Sequence, residues 1–332
     1  MLRSFKMRIA AVLPHVEIYG GVRRYIEIGN EFLKRGHDFV IFHPRGNKPE
    51  WIDFKGKTES FEFLEKECFD VGICSEYSIL SSFDRVKARV RFFYFLLEGH
   101  KLEKKVIHSS YFFLGNSEGI CKKMEKKYRI TCDRAVGGVN TDVFYPVEID
   151  RNDDEFRILC YGRIYKKRKG IQNVIRAVEE LYKKYPQIKL VFFDSLVGEE
   201  RRDPRLMIKT HIPHEFFINL PQDKMSSLYS SADVFVSAER RAGWSNTSAE
   251  AMACRVPVVC TKSGTSDFAF HRDTALVVPL PLPFLLRRQI KIMIEDRELR
   301  EKIARRGYEE IRNFSWSSLA ERLENIFREK AM

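Results

Sequence analysis

The chain has 332 residues, 44% of them hydrophobic and 31% charged, with a formal net charge of +12. That is enough apolar material for one large or two medium domains, and it excludes a disordered, collagen-like or disulfide-dense chain. Its seven cysteines are an odd number without a C-x-x-C pair, which speaks against a zinc or disulfide framework and for a reducing, cytoplasmic setting.

Charge interrupts the first residues, MLRSFKMRIAAVLPHVE, too soon for a signal peptide. Met7 to Leu13 reads as a buried strand. A loop with Gly20 and Gly21 follows, then a helix over Val22 to Arg35, stopped by Gly36, and a second strand at Phe39 to His43. This β-loop-α-β unit opens a parallel α/β sheet. Asp70 to Cys74, Arg89 to Phe95 and Phe112 to Asn116 continue it as strands, and Ser117 caps a helix to Tyr128.

Val147 to Glu155 is polar, acidic and aperiodic, a linker. Beyond it the alternation restarts. Strands are expected at Arg157 to Tyr161, Lys189 to Asp194, Val234 to Ser237 and Val256 to Thr261, with helices at Ile171 to Lys184, Gln222 to Ser231 and Thr247 to Cys254. The apolar stretch from Ala275 to Leu286 contains Pro279, Pro281 and Pro283, so it cannot be a continuous bilayer helix, and a soluble chain is expected. Glu295 to Met332 is helical by pattern, interrupted at Gly307, Asn313 and Phe314. The reading is α/β, with residues 1–148 as one domain, 149–310 as a second, and 311–332 as a terminal helix expected to pack back on the first domain. Ligands would bind in a cleft at the carboxyl ends of the strands.

The positive charge is uneven. Residues 85–134 hold thirteen Lys or Arg against five Asp or Glu, centred on Lys101, Lys104, Lys105, Lys122, Lys123, Lys126 and Lys127. Such a face suits an anionic acceptor or peripheral contact with anionic lipid, or it is a solvated surface; no nucleic-acid signature accompanies it.

Two loops concentrate chemistry. Gly162-Arg163 and the run Lys166 to Gly170 lie between a strand end and a helix start, where cations and helix amides suit a diphosphate. Ala242-Gly243-Trp244-Ser245-Asn246-Thr247 precedes a helix whose first turn should hold Glu250, a carboxylate able to accept ribose hydroxyls.

Taken together, these segments resemble the family 4 retaining glycosyltransferases of the GT-B architecture. The fragments that carry the likeness, in family order, are LPHVEIYGGVRRYIEIGNEFLKRGHDFVIF, Asn116-Ser117-Glu118, GGVNTDVFYP, GRIYKKRKG, LYSSADVFVSAE and AEAMACRVPVVCTKSGTSDF. The resemblance implies two Rossmann-like domains with parallel sheets facing across a cleft. It also implies transfer of a sugar from a UDP- or GDP-linked donor to a glycan or lipid-linked acceptor, with no metal or other cofactor. By the same likeness Arg163 and Lys169 bind the diphosphate, Gly20 and Gly21 approach the donor, and Gly243 to Thr247 meet its phosphate and sugar. Glu250 matches the ribose-binding Glu of E-x7-E. A histidine commonly touches the donor sugar, and His100 is the candidate, with Glu98 beside it and His15 as the second choice. Ala242 stands where the first Glu of E-x7-E is usual. Either Glu239 substitutes, backbone groups suffice, or the chain is a non-catalytic subunit that binds nucleotide or glycan. Asp194-Ser195 replaces a glycine-rich strand end and leaves the base open.

Overall fold

In the computed structural model, residues 6–97, 100–150, 154–196 and 203–331 are described. They form two compact units: Met1–Gly138 with Trp316–Met332, and Val139–Ser315.

The first unit runs β1 (Arg8–Val12), α1 (Gly20–Lys34), β2 (Asp38–Phe42), β3 (Lys57–Glu59), β4 (Cys68–Cys74), α2 (Leu80–Phe83), β5 (Lys87–Phe95), α3 (Glu103–Ile107), β6 (Phe112–Gly115), α4 (Glu118–Tyr128) and β7 (Asp133–Arg134). Its seven parallel strands are ordered β3-β2-β1-β4-β5-β6-β7, so the order reverses between β1 and β4. Both faces of the sheet are covered, which is why the inner strands read as continuous apolar runs.

The second unit contains β8 (Phe156–Tyr161), α5 (Ile171–Tyr182), β9 (Ile188–Asp194), β10 (His214–Ile218), α6 (Met225–Ser230), β11 (Val234–Ser237), α7 (Asn246–Ala253), β12 (Val258–Thr261), β13 (Leu276–Val278), α8 (Pro283–Glu295) and α9 (Arg297–Ile311). Six parallel strands are ordered β10-β9-β8-β11-β12-β13, reversing between β8 and β11. The last helix, α10 (Trp316–Ala331), belongs to the first unit. Phe327 lies 5.7 Å from Phe32 and 4.8 Å from Phe92, ring centre to ring centre, and Arg24 lies over Trp316 while donating to Tyr94 Oη and the Gly137 carbonyl.

Two sequence expectations need correction, and one helix was not foreseen. The boundaries fall after Gly138 and after Ser315, not at 148/149 and 310/311. Ser226 Oγ donates to the Val143 carbonyl (2.5 Å) and accepts from Tyr145 N, and Ser230 Oγ accepts from Val147 N, so 139–147 pack with the second unit. Gly307 does not interrupt α9. A Cβ there would lie 3.0 Å from the Thr274 carbonyl, so the residue is small because the helix lies against its neighbours, not because it ends. Finally α8, hidden among prolines, starts with Pro283 in its first turn, where a missing N–H costs nothing.

Candidate active site

The reversal in the second sheet puts the end of β8 beside the end of β11, the position where open α/β sheets bind ligands. The chain leaves β8 at Tyr161 and returns as α5 through the basic loop. Gly170, the last residue of that loop, has φ +69°, and a Cβ there would lie 2.2 Å from the Ala238 carbonyl just beyond β11. The two segments therefore touch backbone to backbone. Arg240 N donates to the Arg168 carbonyl (2.8 Å) and Arg168 Nη1 to the Arg241 carbonyl (3.1 Å).

That docking assembles a charged cluster from three strand ends. Lys169 Nζ is ion-paired with Glu239 Oε1. Arg163 donates from Nε to Asp194 Oδ1 (3.0 Å) and from Nη2 to the Ser195 carbonyl (2.9 Å). Asp194 closes β9 and also accepts from Ser195 N (2.7 Å). Tyr161 is the platform between them: the Arg163 guanidinium carbon lies 5.2 Å and Lys169 Nζ 5.0 Å from its ring centre. Burial, then the neighbouring Arg168 and Arg163 charges, push the Lys169 ammonium down to about 7. Burial, then Asp194, push the Tyr161 phenol up.

Of the expected residues, Arg163, Lys169 and Glu239 thus come together. Asp194 and Tyr161 join them, and neither was assigned from sequence to the diphosphate cluster. A carboxylate ending an apolar strand (VFFD) was the available signal for Asp194, but its meaning depends on which strand lies next to it. Gly243, Ser245, Asn246 and Thr247 lie before and at the start of α7. This loop is clamped by residues 263–264: Ala242 N donates to Ser263 Oγ and Ser245 N to the Gly264 carbonyl, both at 2.8 Å. Trp244 departs from expectation. It is 7% exposed and packs on Phe268 and Phe314, with its Nε1 unpartnered, so aromatic burial places it in the core. Glu250 falls in the second turn of α7, not the first, because the helix starts at Asn246; Tyr229 Oη donates to its carboxylate at 2.9 Å.

In the first unit, α1 begins at Gly20, so Gly20 and Gly21 open the helix and do not form the loop expected before it; Arg23 N donates to the Tyr19 carbonyl and closes the first turn. His100 is exposed beyond β5, its ring flat on Tyr77 at 4.1 Å. Leu102 N donates to His100 Nδ1 (3.2 Å), which places the proton of the neutral ring on Nε2. Glu98 lies outside the described residues. Ser117 caps α4 through Ile120 N, and Asn116 Nδ2 donates to the Leu96 carbonyl. The lysines of α3 and α4 are exposed around the buried Glu103, which accepts from Lys127 Nζ (3.0 Å) and Tyr128 Oη (2.6 Å). A cavity of about 610 Å³ lies at the opposite end of the second sheet, against Phe156 and Pro257. It shares no residue with the charged cluster, and its Arg255, Arg297 and Arg300 are balanced by Glu155, Asp233 and Glu301.

Two doubly wound parallel sheets, one with clustered cations at its switch point, make this a Rossmann-like α/β protein. The glycosyl transferases group 1 family profile matches residues 144–310, and the chain belongs to that family. It is 29% identical over 221 residues to the capsular polysaccharide biosynthesis glycosyltransferase CapM of Staphylococcus aureus, covering 63% of this chain and 57% of CapM. The chain spans about half the length of the curated relatives it matches. Sucrose-phosphate synthase from Thermosynechococcus elongatus superposes with a TM-score of 0.80 at 17% identity, over 98% of this chain and 99% of that one. Anabaena HepE, solved with UDP and glucose, superposes at 0.74 and 13% identity, over 97% and 99%. The architecture is GT-B. No described helix is long and apolar enough to cross a membrane.

Proposed function

We propose that the chain is a retaining glycosyltransferase that moves a sugar from a UDP- or GDP-linked donor to a glycan or lipid-linked acceptor without a metal. The observation that carries this reading is the pairing of Arg163 and Lys169 on Tyr161 at the switch point of the second sheet. Two fixed cations there neutralise charge as it builds on a leaving diphosphate, and the amides at the start of α7 add a positive helix end. Glu250 takes the ribose. Group 1 membership and the naming of CapM for capsular polysaccharide support the activity. The exposed lysines of α3 and α4 serve an anionic acceptor or lipid surface at the cytoplasmic membrane face; equal sedimentation with neutral and anionic vesicles would remove that part.

A second reading, a non-catalytic nucleotide- or glycan-binding subunit, is favoured by Ala242 alone. Thermal unfolding against UDP, GDP, ADP, CMP and dTDP tests the main reading. A ligand at a hundred times its Kd stabilises by about 2.7 kcal/mol, so the donor nucleotide should stand out. No shift with any of them would overturn the donor site, and a shift without turnover of any donor and acceptor would move the second reading ahead.

A further inference from the structure

We propose that Glu239 is a built-in counter-ion that occupies Lys169 in the ligand-free chain, and that the donor diphosphate must displace it to bind. This rests on the reading of Arg163 and Lys169 as the diphosphate site. The Lys169 ammonium is ion-paired with Glu239 Oε1 and lies 5.0 Å from the Tyr161 ring centre. Two carboxylates hold the two ligand cations, so an arriving anion meets a neutralised site and has to exchange with one of them.

The two carboxylates are not held alike. Asp194 is 3% exposed, fixed by Arg163 Nε and Nη2 and by Ser195 N, on a short side chain at a strand end. It keeps Arg163 aimed and stays. The Glu239 carboxylate is held through Oε1 on Lys169, on a side chain one methylene longer. Its backbone is locked: Thr261 Oγ1 donates to the Glu239 carbonyl (2.5 Å), and the next residue donates to the Arg168 carbonyl. Exchange therefore requires the Glu239 side chain, itself 4% exposed, to rotate out of its buried position, with the loop left in place. Glu239 Oε1 sits on the Lys169 ammonium itself, where a phosphate oxygen would have to sit, whereas Asp194 lies on the Arg163 guanidinium, so displacement of Glu239 is part of binding, not an alternative to it. Glu239 lowers nucleotide affinity and prevents Lys169 from sitting buried without a counter-charge.

The test is calorimetric titration of pyrophosphate, which carries no base, at one fixed pH for all variants. Glu239→Gln should bind at least tenfold tighter than the unaltered chain, and Asp194→Asn should bind no tighter. Glu239→Asp keeps the charge and the fold but shortens the reach, and should bind about threefold tighter, which covers the case of a Gln variant that fails to fold. Equal or weaker binding in the Glu239 variants, or tighter binding in Asp194→Asn, overturns the proposal. If UDP or GDP still binds the unaltered chain and is lost in Arg163→Ala, only the counter-ion role falls. If no variant binds pyrophosphate, UDP or GDP, the diphosphate site falls with it.

Discussion

Arg163→Ala is expected to lower kcat/KM about 10²- to 10³-fold, the usual loss when one fixed donor to a developing anion is removed. The single variant also strands Asp194, a 3% exposed carboxylate whose guanidinium partner is gone. Breaking a buried pair from one side costs about 3–5 kcal/mol of stability. The double variant Arg163→Ala/Asp194→Asn removes both charges together, so it should recover most of the fold while leaving the kinetic defect. A defect that vanished in the double variant would mean that Arg163 matters only for packing. Lys169 adds a pH signature. Its ammonium, held near 7 by burial and by Arg168 and Arg163, binds phosphate only when protonated, and a bound phosphate pulls its pKa up. The competent fraction of the free chain therefore falls as pH rises, so UDP affinity should weaken on the alkaline side of neutrality. In Lys169→Ala that slope should be flat, read by titration at each pH.

Gly170→Ala should be nearly as damaging by a different route. At φ +69° any Cβ is strained by about 1 kcal/mol, and here it would also strike the Ala238 carbonyl at 2.2 Å. Backbone cannot yield as a flexible side chain does, so the basic loop must lift from the end of β11 and take Lys169 off its partner. We expect a loss of about 2–4 kcal/mol in urea unfolding of the second unit, with at least tenfold weaker pyrophosphate binding. Gly36→Ala is the control: its φ is +85°, but nothing lies within 4 Å of the added carbon. It should show the strain without the binding defect. Equal binding losses in both variants would refute the contact as the cause.

The strands that the sequence reveals are those buried on both faces. MRIAAVL, VFVS and the RILCY run were legible because parallel inner strands are continuous apolar segments. Edge strands were not. Lys57–Glu59 is three polar or charged residues, and His214–Ile218 is half-exposed, so neither stands out from a loop. The helix after Pro283 was masked by the prolines around it, since a proline that breaks a helix interior is harmless in its first turn.

Local sequence by itself determined that cations and a helix start meet after the Arg157–Tyr161 strand, because a strand, a basic loop and a helix follow one another within a short stretch. It also determined that Thr247 to Glu250 lie at or near a helix start. What those groups face was decided only by the tertiary structure. Arg163 meets Asp194 31 positions away, and Lys169 meets Glu239 70 positions away, because β8 lies between β9 and β11. Trp244 likewise looked like part of a ligand loop until the fold buried it against Phe268 and Phe314. Propensity and periodicity act over a few residues. Charge pairing and aromatic burial act between whatever the sheet order brings side by side, and that order is set by the packing of the whole unit.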